Sequence, residues 1–155
     1  MELKIGQKAP EFILLNQHEK SISLNDFKGK WLVFYFYPKD NTPGCTIEAI
    51  DFSKYISDFK KLNCEIIGCS RDPVKSHCSF IDKYNLKIQL LVDEDHKVME
   101  KYDVWGTKKF LGKVFDGIKR STFLIDPKGN LAEVWYDVRA EGHSEKVLEK
   151  LKTLV

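Results

Sequence analysis

The chain has 155 residues and a mass of 18.0 kDa, with 43% hydrophobic residues, 31% charged residues and a mean hydropathy of −0.35. This length and composition predict one globular domain over residues 1–155 and exclude disorder as the main state. The 25 basic and 23 acidic residues leave a net charge of +2, which is too weak a field to hold a polyanion, so we expect no nucleic-acid partner.

The longest apolar run, at residues 31–37, is much shorter than the roughly 20 residues that a membrane-spanning helix needs. It predicts a buried strand, and we expect no membrane association. Residues 1–8 contain no apolar stretch that would serve as the core of a signal peptide. We therefore expect a cytoplasmic protein.

Strands and helices alternate along the first part of the chain. Apolar side chains at helical spacing predict an amphipathic helix that begins near Cys45 and follows the strand at 31–37. The other elements predicted here are a short apolar strand at 11–15, a capped turn or short helix at 23–29, a strand at 64–69, a helix from 72 to about 84 and a strand at 88–92.

The last third of the chain predicts a hairpin and a closing helix. Residues 121–125 and 131–136 are rich in β-forming residues, and the turn residues at 126–130 join them. Apolar spacing predicts a helix over 141–154, whereas 102–119 is irregular and is predicted as the longest loop. Together the elements predict an α/β domain with a mixed sheet flanked by helices.

The four cysteines are Cys45, Cys64, Cys69 and Cys78. In a reducing compartment we do not expect them to form a static disulfide framework. The closest pair, Cys64-x4-Cys69, lacks the short spacing of zinc ligands, so we expect no metal. We also expect no organic cofactor, because thiol chemistry needs none. Cys64 and Cys69 bound an apolar run, where cysteine most often packs as a small buried hydrophobe.

Cys45 follows a predicted buried strand and lies in the first turn of a predicted helix. Unpaired backbone N–H groups and the helix dipole at that position favour its thiolate, which is the reactive form. Thr42 can turn its hydroxyl toward the sulfur, and Pro38 and Pro43 rigidify the approach. The alternative is that Thr42 caps the helix and Cys45 packs as a small hydrophobe, and local chemistry leaves both interpretations open.

The spacing Pro38-x3-Thr42-x2-Cys45, placed after an aromatic-rich strand, resembles the active-site signature of the peroxiredoxins. The resemblance runs from Gly6 to the final helix and implies a thioredoxin-like fold. Further segments, at 104–106, 110–113 and 117–126, are similar to the bacterioferritin comigratory protein, or peroxiredoxin Q, branch of that family.

The resemblance implies that Cys45 is the peroxidatic cysteine, which attacks a hydroperoxide and becomes a sulfenic acid. Pro38, Thr42 and Arg120 complete the implied site, because Arg120 directly precedes a strand at the place where the family supplies its catalytic arginine. A fixed guanidinium charge stabilises both a thiolate and a departing oxygen. On local sequence alone, Arg120 is instead an exposed charge. Glu48 is either a partner that orients the arginine or an exposed helix residue.

The resemblance does not identify the resolving cysteine directly. Many members of this branch carry it five residues after the first cysteine, where this chain has Ile50, and others carry it at a position that aligns with Ile81. Cys78 lies within about 60° of position 81 around the helix, so Cys78 is the candidate resolver. The alternative is that Cys78 only packs within the helix, and the neighbouring His77 is expected at the surface.

The predicted function is a thiol-dependent peroxidase that converts hydrogen peroxide and organic hydroperoxides to water and alcohols. With Cys78 as the candidate resolver we expect a Cys45–Cys78 disulfide, and the family implies thioredoxin, or another thiol reductant, for its recycling. Because the sulfurs bond only when the Cα atoms lie within roughly 7 Å, we expect the first turn after Thr42 to unwind. One alternative is a one-cysteine peroxidase resolved by an external thiol, and another is a non-catalytic redox-sensing or holdase protein. The branch implies a monomer.

Overall fold

The computed structural model describes residues 2–155. In chain order its elements are β1 (Ile13–Leu15), β2 (Ser21–Ser23), a 3-10 turn (Leu24–Phe27), β3 (Trp31–Phe36), α1 (Pro43–Lys54), α2 (Ile56–Lys61), β4 (Cys64–Ser70), α3 (Val74–Tyr84), β5 (Gln89–Val92), α4 (Lys97–Lys101), β6 (Trp105–Phe110), β7 (Lys113–Ile118), β8 (Ser121–Ile125), β9 (Leu131–Trp135) and α5 (His143–Leu154).

Seven of these strands form one mixed sheet in the order β2-β1-β5-β4-β3-β8-β9. The strands β3, β4 and β5 run parallel, whereas β8 pairs antiparallel with β3, and β9 pairs antiparallel with β8. Helices cover the sheet, so the predicted α/β class with a mixed sheet is confirmed. The strand β3 lies between β4 and β8, and its carboxyl end leads directly toward the helix that carries Cys45.

Alternate residues of β3 face opposite sides of the sheet, as the pleat of a strand requires. Leu32, Phe34 and Phe36 pack in a cluster with the 3-10 turn and α4. Val33 and Tyr35 pack in a second cluster with apolar residues of α1, α2, α3 and α5. The first turn of α1 therefore rests on the second face of the sheet.

The close packing of β3 and β4 requires a glycine. Tyr35 and Gly68 are paired in the parallel register, and a Cβ on Gly68 would lie 2.8 Å from Cζ of the Tyr35 ring. That ring in turn stacks on Phe52 of α1, with 4.7 Å between the ring centroids. Gly68 thus leaves the space that Tyr35 needs beneath α1.

The stretch 102–119, predicted as a loop, contains a β-hairpin, and this prediction is wrong. The strands β6 and β7 pair antiparallel in a sheet of their own. Much of the hairpin is solvent-exposed: Phe110 is 66% exposed and Leu111 87%. Among residues 2–155 this two-stranded sheet pairs with no other strand, and the residues near its tip are exposed, so its strands show no regular apolar alternation.

The remaining differences between the predicted and the observed elements are smaller. The helix predicted from Cys45 onward is two helices, α1 and α2, because the backbone at Tyr55 (φ −95°, ψ 8°) leaves helical geometry. The short elements β2 and α4 were not predicted. Cys64 and Cys69 are 1% and 0% exposed in β4, which confirms that they pack as small buried hydrophobes. Within residues 2–155, no helix combines the length and the apolar character required to cross a bilayer.

Candidate active site

Cys45 is the third residue of α1 and is only 1% exposed. The helix begins at Pro43, whose fixed φ suits the first helical position, after an extended Thr42 (φ −98°, ψ 156°). The first backbone bond inside the helix runs from the Thr46 N–H to the Thr42 carbonyl. The N–H groups of Gly44 and Cys45 precede that bond, so they are available to an anionic ligand.

The side chain of Arg120 connects Cys45 with Glu48. Its Nη2 donates a hydrogen bond to Cys45 Sγ over 3.4 Å, and its Nη1 donates to Glu48 Oε1 over 2.7 Å. Arg120 directly precedes β8, whose first residue, Ser121, pairs with Phe36 at the end of β3. The sheet therefore brings the arginine to the start of α1. With a side chain only 16% exposed, Arg120 is not a freely solvated charge.

Glu48 is fully buried, one turn after Cys45, and is not an exposed helix residue. Burial raises the pKa of its carboxyl to about 7, although the neighbouring Arg120 lowers it. Burial by itself would lower the pKa of Arg120, but Glu48 and Cys45 raise it above its ordinary value. The guanidinium therefore stays positively charged beside the sulfur.

The contact between Arg120 and Cys45 depends on the glycine at position 44. A Cβ at that position would lie 3.0 Å from Arg120 Nη2, which is closer than side-chain atoms normally approach. The absence of a side chain at Gly44 lets the guanidinium reach across the first turn of α1 to the sulfur.

Thr42 and Pro38 lie beside this pair, in the loop between β3 and α1. Thr42 precedes the first helical residue but makes no side-chain capping bond, and its Oγ1 instead donates to the Lys39 carbonyl over 2.8 Å. The hydroxyl keeps its lone pairs for a further donor. Pro38 is half-buried at the start of the loop. The structure thus brings four of the five predicted site residues, Pro38, Thr42, Cys45 and Arg120, to one end of β3.

Cys78 is the fifth predicted site residue, and it lies apart from the other four. It is half-buried on α3, where its Sγ donates to the carbonyl of Gln17 over 3.1 Å. The α3 residues that bond the loop before α1 include Ser76 and Tyr84. Each helical step turns by about 100°, so Cys78 lies about 200° from Ser76 and faces away from that loop. Cys45 and Cys78 are not in contact.

A model of the AhpC/TSA family matches residues 5–134 of this chain. The chain belongs to the AhpC/TSA family of peroxiredoxins. Peroxiredoxin Bcp of Bacillus subtilis (strain 168) is 47% identical over 154 residues, covering 99% of this chain and 98% of the relative. Peroxiredoxin Bcp of Escherichia coli (strain K12) is 41% identical over 150 residues, covering 97% and 96%.

Solved structures agree with this assignment. A variant of Xylella fastidiosa PrxQ superposes with a TM-score of 0.93 at 37% identity, covering 99% of this chain and 98% of that chain. The bacterioferritin comigratory protein of Xanthomonas campestris, described for its alkyl peroxide reduction activity, superposes with a TM-score of 0.88 at 40% identity, covering 92% and 91%. The predicted family, branch and thioredoxin-like fold are confirmed, and this peroxiredoxin is a thiol-dependent peroxidase.

His77 of the peroxiredoxin is not at the surface, and that prediction is wrong. Its side chain is fully buried, with Nδ1 2.7 Å from Asp40 Oδ2 and Nε2 2.8 Å from the Leu91 carbonyl. The local pattern on α3 carried no sign of this burial, because the partners lie 37 and 14 positions away in sequence. Within residues 2–155, no group of three or more His, Cys, Asp or Glu side chains is arranged to hold a metal ion.

The β6–β7 hairpin borders the peroxiredoxin site. Burial lowers the pKa of Lys108 in β6, while Asp137 and Cys45 raise it. A shallow cavity of about 360 Å³ opens there, lined in part by Lys108, Phe110 and Phe115. Trp105, by contrast, stacks on His96 with 4.1 Å between ring centroids, so it packs at the base of the hairpin.

Proposed function

We propose that this peroxiredoxin reduces hydrogen peroxide and organic hydroperoxides through a sulfenic acid on Cys45. The observation that supports this assignment is the position of Arg120, which donates hydrogen bonds to the Cys45 sulfur and to the buried Glu48 at the same time. A charge held at that point stabilises a thiolate before the reaction and an anionic oxygen during it.

The proposed reaction is a displacement at oxygen. The Cys45 thiolate attacks the terminal oxygen of the hydroperoxide, an S–O bond forms and the O–O bond breaks. The departing oxygen takes the electron pair and a proton and leaves as water or an alcohol, and Cys45 is oxidised to a sulfenic acid. Thr42 Oγ1 accepts a hydrogen bond from the peroxide, and the N–H groups of Gly44 and Cys45 bind its oxygens. Pro38, which lacks an N–H and has a fixed φ, limits the loop to few conformations.

For recycling, we propose that Cys78 attacks the sulfenic sulfur. An S–S bond then forms, the hydroxyl leaves as water, and a thioredoxin-type dithiol reduces the disulfide by exchange. Cys78 faces Gln17 on the far side of α3, so the first turn of α1 and part of α3 must rearrange before the two sulfurs meet.

The test is to treat the reduced protein with one equivalent of hydrogen peroxide and to map its cysteines by mass spectrometry. Wild type should form a Cys45–Cys78 disulfide that is lost in both Cys45→Ser and Cys78→Ser, whereas Cys64→Ser, a control on a buried cysteine, should form it normally. Absence of any oxidation at Cys45 would contradict the assignment of the peroxidatic residue.

A second recycling route follows from the separation of Cys45 and Cys78. If an external thiol resolves the sulfenic acid directly, the same experiment should yield a stable Cys45 sulfenic acid and an unmodified Cys78. That outcome would remove Cys78 from the mechanism while keeping Cys45 as the peroxidatic cysteine.

We also propose a cytoplasmic monomer consisting of one domain. Within residues 2–155 no two cysteines are joined in a disulfide, which fits a reducing compartment. Size-exclusion chromatography with light scattering on the reduced protein should give a mass near 18.0 kDa, and twice that mass would contradict the monomer.

A further inference from the structure

The loop between β3 and α1, residues 37–42, is held by a buried carboxylate that the proposed reaction does not use. Asp40 is 7% exposed. Its Oδ1 accepts a hydrogen bond from the Tyr37 hydroxyl over 2.6 Å, and its Oδ2 accepts one from the Ser76 hydroxyl over 2.8 Å. The same Oδ2 lies 2.7 Å from Nδ1 of His77. Two of these three partners, Ser76 and His77, belong to α3.

The hydrogen bonds of His77 fix the number of protons in this cluster. Its Nε2 must donate to the Leu91 carbonyl, because a carbonyl oxygen only accepts. A neutral imidazole would then present a lone pair on Nδ1 to Asp40 Oδ2, and a carboxylate would present another. Two acceptors do not approach to 2.7 Å without a proton between them, so the Asp40–His77 contact holds one shared proton.

Further bonds attach the same loop to the region of α3. The Asp40 N–H donates to Asp72 Oδ2 over 2.9 Å, just before α3 begins. Asn41 Oδ1 accepts from the Tyr84 hydroxyl over 2.7 Å, near the end of that helix. The loop that leads into Cys45 is therefore attached at both ends of α3.

We propose that Asp40 and His77 form a positioning latch that holds the 37–42 loop closed over Cys45, and that release of this latch opens the loop for the resolving thiol. This inference rests on the proposed function, because it concerns the step after the sulfenic acid forms. Neither residue touches the reacting atoms, so both are positioning residues.

The burial of Cys45 explains why a latch would govern that step. The sulfur belongs to a residue that is 1% exposed, so either Cys78 or an external thiol reaches it only after the loop and the first turn of α1 move. Asp40 lies five residues before Cys45, in the segment that must move. A tight latch favours the peroxide reaction, which needs the closed site, and a released latch favours resolution.

Titratable groups of neighbouring segments face the Asp40–His77 pair. They are Tyr35 from β3, Tyr37 from the 37–42 loop itself and Asp72 from the segment before α3. Burial and the adjacent Asp40 raise the pKa of Tyr37 well above its ordinary value, so this hydroxyl keeps its proton and remains a donor to Asp40. Breaking the Asp40–His77 contact removes one of the bonds that attach the loop to α3.

Two substitutions of Asp40 remove the latch to different extents. Asp40→Ala removes the acceptor for all three donors. Asp40→Asn keeps the shape, and its amide N–H can donate to Nδ1 of a neutral His77, so the contact no longer needs an extra proton. Tyr102→Phe is the matched control, because it removes a buried hydroxyl bond of 2.7 Å to Pro10 on the opposite face of the sheet.

The two half-reactions are measured separately by rapid quenching and mass spectrometry. Asp40→Ala should oxidise Cys45 about tenfold more slowly and lose the sulfenic acid to thiols about tenfold faster, with less sulfinic acid formed per turnover. Ser76→Ala, which removes one donor only, should change both rates in the same directions but less. Tyr102→Phe should leave the ratio of the two rates unchanged.

Asp40→Asn is the milder of the two Asp40 variants. Both of its rates should lie between those of wild type and Asp40→Ala, because the amide still accepts from Tyr37 and donates to His77 but leaves the Ser76 hydroxyl without its acceptor. Rates for Asp40→Ala and Ser76→Ala within twofold of wild type would overturn the latch. Failure of wild-type Cys45 to be oxidised at all would instead contradict the proposed function, so the two failures are distinguishable.

Discussion

Arg120 Nη2 donates a hydrogen bond to Cys45 Sγ over 3.4 Å, although the two residues are 75 positions apart in the chain. The second nitrogen of the same guanidinium binds Glu48 over 2.7 Å. The planar guanidinium makes the two contacts with two different nitrogens held in a fixed geometry, which a lysine ammonium, with all its donors on one nitrogen, does not reproduce.

Arg120→Lys should therefore slow the oxidation of Cys45 by peroxide by about 100-fold, the usual consequence of losing one donor to a developing anion. The second-order rate constant, measured under single-turnover conditions, checks this expectation. Arg139→Lys, at an exposed position, is the matched control and should react like wild type. An Arg120→Lys rate within threefold of wild type would show that charge alone is sufficient.

Gly44→Ala should lower activity without lowering stability. The added Cβ would lie 3.0 Å from Arg120 Nη2, and Glu48 holds that side chain from the other side, so the guanidinium must shift away from the sulfur. Alanine also has a better helix propensity than glycine. We expect the peroxide rate to fall about tenfold while the melting temperature stays equal or rises. In the control Gly106→Ala, the nearest atom is Lys119 Cε at 3.8 Å, and the rate should not change.

Tyr35 and Tyr37 provide a matched pair of buried hydroxyls. The Tyr35 hydroxyl has no hydrogen-bond partner, whereas the Tyr37 hydroxyl donates to Asp40 over 2.6 Å. Removing an unpaired buried hydroxyl is neutral or stabilising, and removing a paired one costs about 1–3 kcal/mol. Urea unfolding should show Tyr35→Phe at least as stable as wild type and Tyr37→Phe less stable. Equal destabilisation of the two variants would contradict this assignment of partners.

His143 should make stability depend on pH. Burial, together with Lys146 and Arg120, lowers its pKa from 6.5 to about 4, and its Nε2 shares a hydrogen bond of 2.7 Å with the Thr122 hydroxyl. Between those pH values the unfolded chain binds a proton that the folded chain does not. The histidine's contribution to stability is thus complete above pH 6.5 and is lost as the pH falls to about 4, by about 3 kcal/mol.

The measurement must be a difference between variants, because Glu48 acts in the opposite direction. Its raised pKa means that the folded chain keeps a proton between pH 4.5 and about 7, so its contribution decreases as the pH rises through that range. Urea unfolding at several pH values should show wild type losing its advantage over His143→Gln toward acid. Parallel curves for the two proteins would show that His143 titrates normally in the fold.

The two cysteines of β4 should be inert in the native protein. Burial raises the pKa of Cys64 to about 12 and that of Cys69 well above its ordinary value. Iodoacetamide at pH 8, followed by mass spectrometry, should modify neither of them until denaturant is added. Rapid labelling of Cys64 or Cys69 in the native state would make that residue a rival to Cys78 as the resolving thiol.

Local patterns predicted the parts of this molecule whose burial follows from neighbouring residues. The strand β3 is a continuous apolar run of the length of a buried strand, and apolar residues recur at helical spacing after Cys45 and in α3. The spacing of Pro38, Thr42 and Cys45 also carried the resemblance to the peroxiredoxins.

Other features depend on distant partners and had no local pattern. His77 is buried by Asp40 and Leu91, and the choice between the two interpretations of Glu48 was decided by Arg120, which lies 72 positions away. The β6–β7 hairpin escaped prediction for a different reason, since much of it is exposed and its strands bond only to each other.

The contact between Tyr35 and Gly68 has a consequence for sequence change in the wider family. The two residues are paired in the register of β3 and β4, and the Tyr35 ring fills the space that a side chain at position 68 would occupy. A larger residue at position 68 therefore requires a smaller one at position 35. Because the Tyr35 ring supports Phe52, such a paired exchange would also shift α1 relative to the sheet. We expect positions 35 and 68 to covary among relatives, and the depth of the reactive sulfur to vary with them.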